Sequence, residues 1–188
     1  MSRLLSLMII FFCCNVCFAD SIIATIGEKT IVTEEELNQY VKIEILLKNP
    51  NEINNKKLQM SFKDVVLEEV IELKMFKLYA DKVEVKTNQQ NIDQQVKMYQ
   101  ELFKKTFKKD ILFLLEKDNI NKKLFYEKVE MEYIRNLIIV VSIQQKSDID
   151  IKNANQIEIH SKFEEEKDKV AIFLKKLYYV EKYNLNLT

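Results

Sequence analysis

The chain has 188 residues and no net formal charge, with 29 Lys and Arg balancing 29 Asp and Glu. That length suits one domain, and the balance leaves no overall basic field to gather nucleic acid. A single glycine and a single proline exclude the turn-rich sandwiches and barrels and argue against flexible linker arrays.

The first 19 residues differ in kind from the rest. "MSRLLSLMIIFFCCNVCFAD" has one basic residue, Arg3, then an apolar run from Leu4 to Cys14, with Cys17 and Ala19 at its exit. This pattern predicts a secretory signal peptide over residues 1–19, cleaved after Ala19, and one domain over residues 20–188. The run is short for a membrane span of about 20 residues, so a cleaved leader is expected rather than an anchor. Val16 before Cys17 disfavours a lipoprotein, which prefers a small residue there. All three cysteines, Cys13, Cys14 and Cys17, fall in the leader. The mature chain would therefore meet an oxidising compartment with no disulfide and rely on its core.

Beyond Asp20, "SIIATIGEKTIVTEEEL" predicts a β-hairpin running into a helix. Strands Ile22–Ile26 and Thr30–Val32 flank a two-residue turn that takes Gly27 first. Thr33 is placed as the cap of helix one, with Glu36 as its capping-box partner, and that helix reaches about Lys48. The polar stretch Asn49–Met60, with Pro50, predicts a loop and a candidate mobile lid. Helix two, about Ser61 to Lys82, has two apolar stripes: Leu67, Ile71, Met75 and Leu78, and Val66, Val70, Leu73 and Ala80. Stripes on two sides predict neighbours on two sides, and hence a central helix. Further helices are expected at about Asn88–Phe103, Ile111–Lys117, Asn121–Ile143, Lys152–Glu165 and Lys167–Lys182. The β-branched "LIIVVSI" leaves the end of the Asn121–Ile143 helix open between helix and strand. In "YNLNLT", Tyr183, Leu185 and Leu187 alternate with Asn184 and Asn186, the period of a half-buried strand. A lone hairpin is marginal in water, so this strand is expected to pair with it. The predicted fold class is mainly α, a multi-helix domain closed by a small antiparallel β-sheet made of an N-terminal hairpin and a C-terminal strand.

Residue chemistry gives no reaction centre. The mature chain has no cysteine and one histidine, His160, whose surroundings "EIEIHSKF" hold no glycine elbow. Zinc would lack ligands, and "SDIDIKN" has alternating acids but no glycine-bearing cation loop. Gly27 alone cannot form a phosphate loop. No enzyme activity and no cofactor are expected. "FKKTFKKD", Phe103 to Asp110, is a basic patch with two aromatics, read as lysines pointing outward from an amphipathic turn rather than a nucleic-acid or lipid site. Phe, Tyr and Met residues recur on several helices. Such residues are usually core, yet they also line surfaces that adapt to varied peptides. Phe103, Phe107, Phe113, Tyr126 and Met131 are the expected groove-lining positions, as exposed aromatics or Met near helix turns, with ordinary core as the alternative for each.

The order of these elements resembles the N-terminal domain of the SurA family of periplasmic chaperones. The leader, the "IIATIGEKTIVTEEEL" hairpin and helix, the loop, and "VVLEEVIELKMFKLYADKVEVKTNQQNIDQQV" follow that family's layout. Ala80, Val83, Val85 and "NQQNIDQQV" match the step at the end of its long helix. "FYEKVEMEYIRNLIIVV" is similar to a later helix through Tyr126, Val129 and Glu132, and "VAIFLKKLYYVEKYNLNL" to the closing helix and strand. The family carries parvulin-type isomerase domains before that closing helix. Here only about Ser147 to Lys167 is left for an insertion, too short for one, and a single histidine cannot supply the parvulin site. The resemblance thus implies a periplasmic, ATP-independent holdase for unfolded outer-membrane proteins without prolyl isomerase activity. The expected partners are extended outer-membrane protein segments, with no nucleic acid and no stable membrane span. The alternative is an exported structural or interaction protein with one fixed partner.

Overall fold

A computed structural model of the chain describes residues 21–146 and 156–183. The expected leader, the expected helix start at Lys152 and the expected strand positions Asn184 to Leu187 lie outside the described residues. The described elements run β1 (Ile22–Ile26), β2 (Thr30–Thr33), α1 (Glu34–Lys48), α2 (Lys56–Lys82), α3 (Gln89–Phe107), α4 (Ile111–Lys117), α5 (Lys122–Lys146), α6 (Gln156–Leu177) and β3 (Val180–Lys182). The fold is mainly helical, with a three-stranded antiparallel sheet in the order β2-β1-β3 that joins the two ends of the described chain. The expected fold class is the observed one.

The closing strand begins earlier than its alternation suggested. α6 stops where Tyr178 N–H donates to the Leu174 carbonyl at 2.8 Å. Val180–Lys182, expected to be helical, then pairs with β1 in the register Ala24↔Lys182, Thr25↔Glu181, Ile26↔Val180. Tyr183 N–H extends the ladder to the Ile23 carbonyl at 2.9 Å. The hairpin turn is also one residue longer than expected, Gly27 to Lys29, because Ile26 pairs with Thr30. Gly27 still serves its geometry: its φ is +59°, a region that side chains disfavour. Its N–H donates to the Tyr179 carbonyl at 2.8 Å, so the turn also ties down the entry to β3.

Caps set the helix boundaries. Thr33 caps α1 by accepting from Glu36 N–H at 3.2 Å, as its sequence position suggested. Asn55 caps α2 by accepting from Leu58 N–H, so α2 starts at Lys56 rather than Ser61. Apolar periodicity is blind to that polar, solvated first turn. The remaining loop is anchored rather than free: Ile53 is buried, Gln59 Nε2 donates to its carbonyl, and Lys109 donates to Asn51. α3 runs one turn past Phe103 and ends at Lys108, whose left-handed φ of 57° stops it. The β-branched tail of α5 stays helical because Ile139 and Ile143 are buried, and packing against α6 overrides weak helix propensity. α6 is one helix where two were expected. Glu164–Lys167 and Glu165–Lys169 ion pairs cross the presumed break, and buried Glu166 accepts from Ser142 Oγ.

α2 is the central helix. It packs on α1, α5, α6 and the sheet, and buries Val66, Leu67, Val70, Ile71, Leu73, Met75, Phe76 and Ala80. Inside this apolar packing lies one charged cluster. Lys128 of α5, 3% exposed, places its ammonium 2.8 Å from Glu44 of α1, 2.8 Å from Glu69 of α2 and 2.7 Å from Glu132 one turn along α5. Tyr99 of α3 donates to the other Glu132 oxygen at 2.5 Å, and Lys48 backs Glu44 at 3.2 Å. Burial alone would push Lys128 down, but its three carboxylates together raise it above the usual lysine range. Burial likewise works to raise Glu44, yet Lys128 and Lys48 outweigh it and hold that carboxyl below its ordinary value. Burial, reinforced by Glu132, raises the Tyr99 phenol.

Two outcomes follow for stability. Gly27→Ala forces a side chain to φ +59° beside Tyr178 without a clash, since the added carbon would stand 3.8 Å from that ring; a loss of about 1 kcal/mol is expected in urea unfolding. Lys128→Met leaves buried carboxylates uncompensated and is expected to cost about 3–5 kcal/mol at neutral pH. The wild-type contribution of Glu44, whose folded pKa is lowered, is complete above 4.5 and is lost as pH falls through the folded value. That of Lys128, whose folded pKa is raised, is complete below 10.5 and is lost as pH rises through its folded value. In the Met variant burial is left to raise Glu44 with only Lys48 opposing it, so the deficit should narrow as pH falls from 7 to 5; a deficit that is constant across that window refutes this account.

Candidate functional site

An apolar opening lies between α2, α5 and α6, away from the charged cluster. It is a cleft of about 650 Å³, within the roughly 300–1,000 Å³ usual for binding pockets. Tyr79, in the last turn of α2, and Val83 and Val85 just beyond it form one wall. α5 presents Leu137, Ile138 and Val141, and α6 presents Val170 and Phe173. The spacing explains the two facing walls: residues three and four apart share one side of a helix. Tyr79 and Phe173 meet edge to face, ring centroids 5.9 Å apart, which fixes the aromatic corner.

The cleft is open. Val83, Val141 and Phe173 are 46%, 40% and 50% exposed, although each is a side chain that folding normally hides. Ile172 and Val140, next to them in sequence, are exposed as well. Polar groups stand among these walls: Ser142, Gln145 and Lys169. Ser142 donates to Glu166 at 2.5 Å, and Lys169 pairs with Glu165 along α6 at 2.6 Å. Ser142 and Lys169 thus direct their hydrogen-bonding capacity at these carboxylates. The arrangement suits the reversible burial of apolar groups from another molecule.

The most strongly perturbed charged group, Lys128, does not form a second site. Its three N–H donors meet three carboxylates, and almost none of it reaches solvent. That is the chemistry of a clamp between helices. Among the described residues no group of three or more His, Cys, Asp and Glu side chains is arranged to hold a metal, and no helix is long and apolar enough to cross a membrane. His160 is exposed on the first half of α6.

The positions picked as groove-lining fall elsewhere. Phe103 and Met131 are buried, at 3% and 0% exposed, and belong to the core rather than to any surface. Phe103 sits on the inner face of α3 with Phe107, their rings 4.8 Å apart, and Phe107 is half-buried against the core. Tyr126 lines a polar recess with Lys77, Gln89 and Glu130. Phe113 is 64% exposed on α4. None of the five lines the apolar cleft. The sequence did carry a signal for the residues that do. "LIIVV" in α5 and "VAIF" in α6 are apolar over more of the helix circumference than one buried stripe needs. Such excess width marks a second apolar contact.

No protein-family model, curated protein or solved structure matches the chain.

Proposed function

We propose that this chain is an ATP-independent holdase of the periplasm that binds unfolded outer-membrane protein segments and has no prolyl isomerase activity. The observation that carries this reading is the cleft walled by Tyr79, Val83, Val141 and Phe173, with apolar side chains 40–50% exposed at its mouth. The resemblance to the SurA N-terminal domain supplies the client class and the compartment. Apolar side chains of a client would enter between α5 and α6 and be removed from water, at about 25 cal/mol per Å² of surface covered. Contacts of this kind lack directional bonds, so they accept varied sequences. A bound client is withdrawn from aggregation by mass action, and release needs only dilution or folding of the client.

The test is suppression of light scattering by several unrelated unfolded outer-membrane proteins at stoichiometric amounts. Wild type is expected to suppress all of them. Val141→Ser and Phe173→Ser are each expected to weaken client binding about tenfold, from the loss of ~1.4 kcal/mol of apolar contact. The helical circular dichroism should be retained in both. No suppression, together with one tight partner recovered in a pull-down, would establish the fixed-partner alternative instead. The same preparation is expected to leave the isomerisation rate of a proline-containing peptide unchanged; acceleration would make the protein an enzyme.

A further inference from the structure

The outer face of α3 carries a feature that client holding does not use. The inner stripe of this helix, Ile92, Val96, Tyr99, Phe103 and Phe107, packs toward the core. At 100° per residue, Glu101, Lys105 and Lys108 point the opposite way, with Lys97 and Lys104 beside them. Glu101, Lys104, Lys105 and Lys108 line a shallow concavity of about 510 Å³. Lys97, Lys104, Lys105 and Lys108 make no ion pair to any described residue, as is also true of exposed lysines elsewhere such as Lys86 and Lys117, but these four are gathered within about three turns of one helix face. In a chain with no net charge, this is a local excess of positive charge tempered by Glu101 and, one turn before Lys97, by Asp93. On the adjoining flank of the same face, Met98 and Leu102 are 60% and 63% exposed, one turn apart.

We propose that this face of α3 is a peripheral contact for an anionic lipid surface. Four unpaired lysines complement a layer of phosphate headgroups, and Met98 and Leu102 reach the boundary between headgroups and acyl chains. Both halves of the chemistry are needed for an interfacial helix face, a cationic side and an apolar side. The flanking side chains separate this surface from a nucleic-acid site. A polynucleotide groove offers stacking and base edges, for which aromatic and Arg side chains are the complement. Aliphatic Met98 and Leu102 have no such role. Each lysine near an anionic surface strengthens binding about fivefold.

The experiment is sedimentation of the full chain with vesicles of phosphatidylcholine alone and of phosphatidylcholine mixed with phosphatidylglycerol. Wild type is expected to bind the anionic vesicles more tightly, with an affinity that falls as salt rises. The triple variant Lys104→Gln, Lys105→Gln, Lys108→Gln should lose about a hundredfold on the anionic vesicles and nothing on phosphatidylcholine. The double variant Met98→Ser, Leu102→Ser should weaken binding about tenfold while keeping the salt dependence. All five side chains are exposed, so thermal melts should match wild type. Equal binding of wild type and the triple variant to anionic vesicles overturns the proposal. So does a duplex gel shift that the triple variant abolishes when vesicle binding is absent, which would assign the face to nucleic acid.

Discussion

One ammonium group holds four helices in register. Lys128 sits where α5 meets α1 and α2, and its three donors are matched by Glu44, Glu69 and Glu132 with nothing left over. Tyr99 adds α3 through Glu132. Apolar packing between helices tolerates some sliding and rotation, because dispersion contacts have no direction. A buried charge tolerates neither, since a shift that lengthens one of these contacts exposes a charge to a medium that cannot solvate it. The cluster therefore fixes how α5 is turned about its own axis. Ile138 lies ten residues further along that helix, about 15 Å away. A rigid helix carries the orientation set at Lys128 to the residues that wall the cleft.

The two ends of the described chain are joined by the sheet. β1 is the middle strand, so the hairpin gains its third strand from the far end of the described chain. The two are coupled at the turn, where Gly27 N–H meets the Tyr179 carbonyl. Tyr178, next in line, stands close to Gly27, while α6 carries Phe173 one turn earlier against Tyr79. The seating of β3 therefore also seats the C-terminal half of α6, which is one wall of the cleft. Surface pairs such as Lys182 with Glu68 of α2 reinforce the closure, although exposed pairs of this kind contribute at most about 1 kcal/mol.

The two surfaces assigned here draw on different helices and different forces. The cleft uses α2, α5 and α6 and is largely apolar in its walls, so binding there would rest on area removed from water. No α3 residue lines the cleft, and a contact made by the lysines of the α3 face would rest largely on charge and be screened by salt. The two proposed contacts would therefore not compete for the same helices.

Hydrophobic periodicity, caps and the solitary glycine were enough to place a mainly helical domain, a hairpin at its start, a central two-sided helix and a closing strand. Those features are local or depend on which faces are apolar, and both are written residue by residue. Thr33 illustrates the point, since its capping side chain satisfies an N–H three residues away. What local signals left undecided were the choices made by contacts distant in sequence. The β-branched end of α5 is helical because α6 covers it. Val180–Lys182 is a strand because β1 offers it hydrogen-bonding partners. Lys128 is buried because Glu44 and Glu69 come to it from 84 and 59 residues away. The site follows the same division. An aromatic or Met residue in a helix has the same sequence signature whether it faces the core, as Phe103 and Met131 do, or an open cleft, as Phe173 does. Composition set the kind of surface this protein could offer, and the tertiary packing of α2, α5 and α6 decided which residues would offer it, because exposure is a property of what lies opposite a side chain and not of the side chain itself.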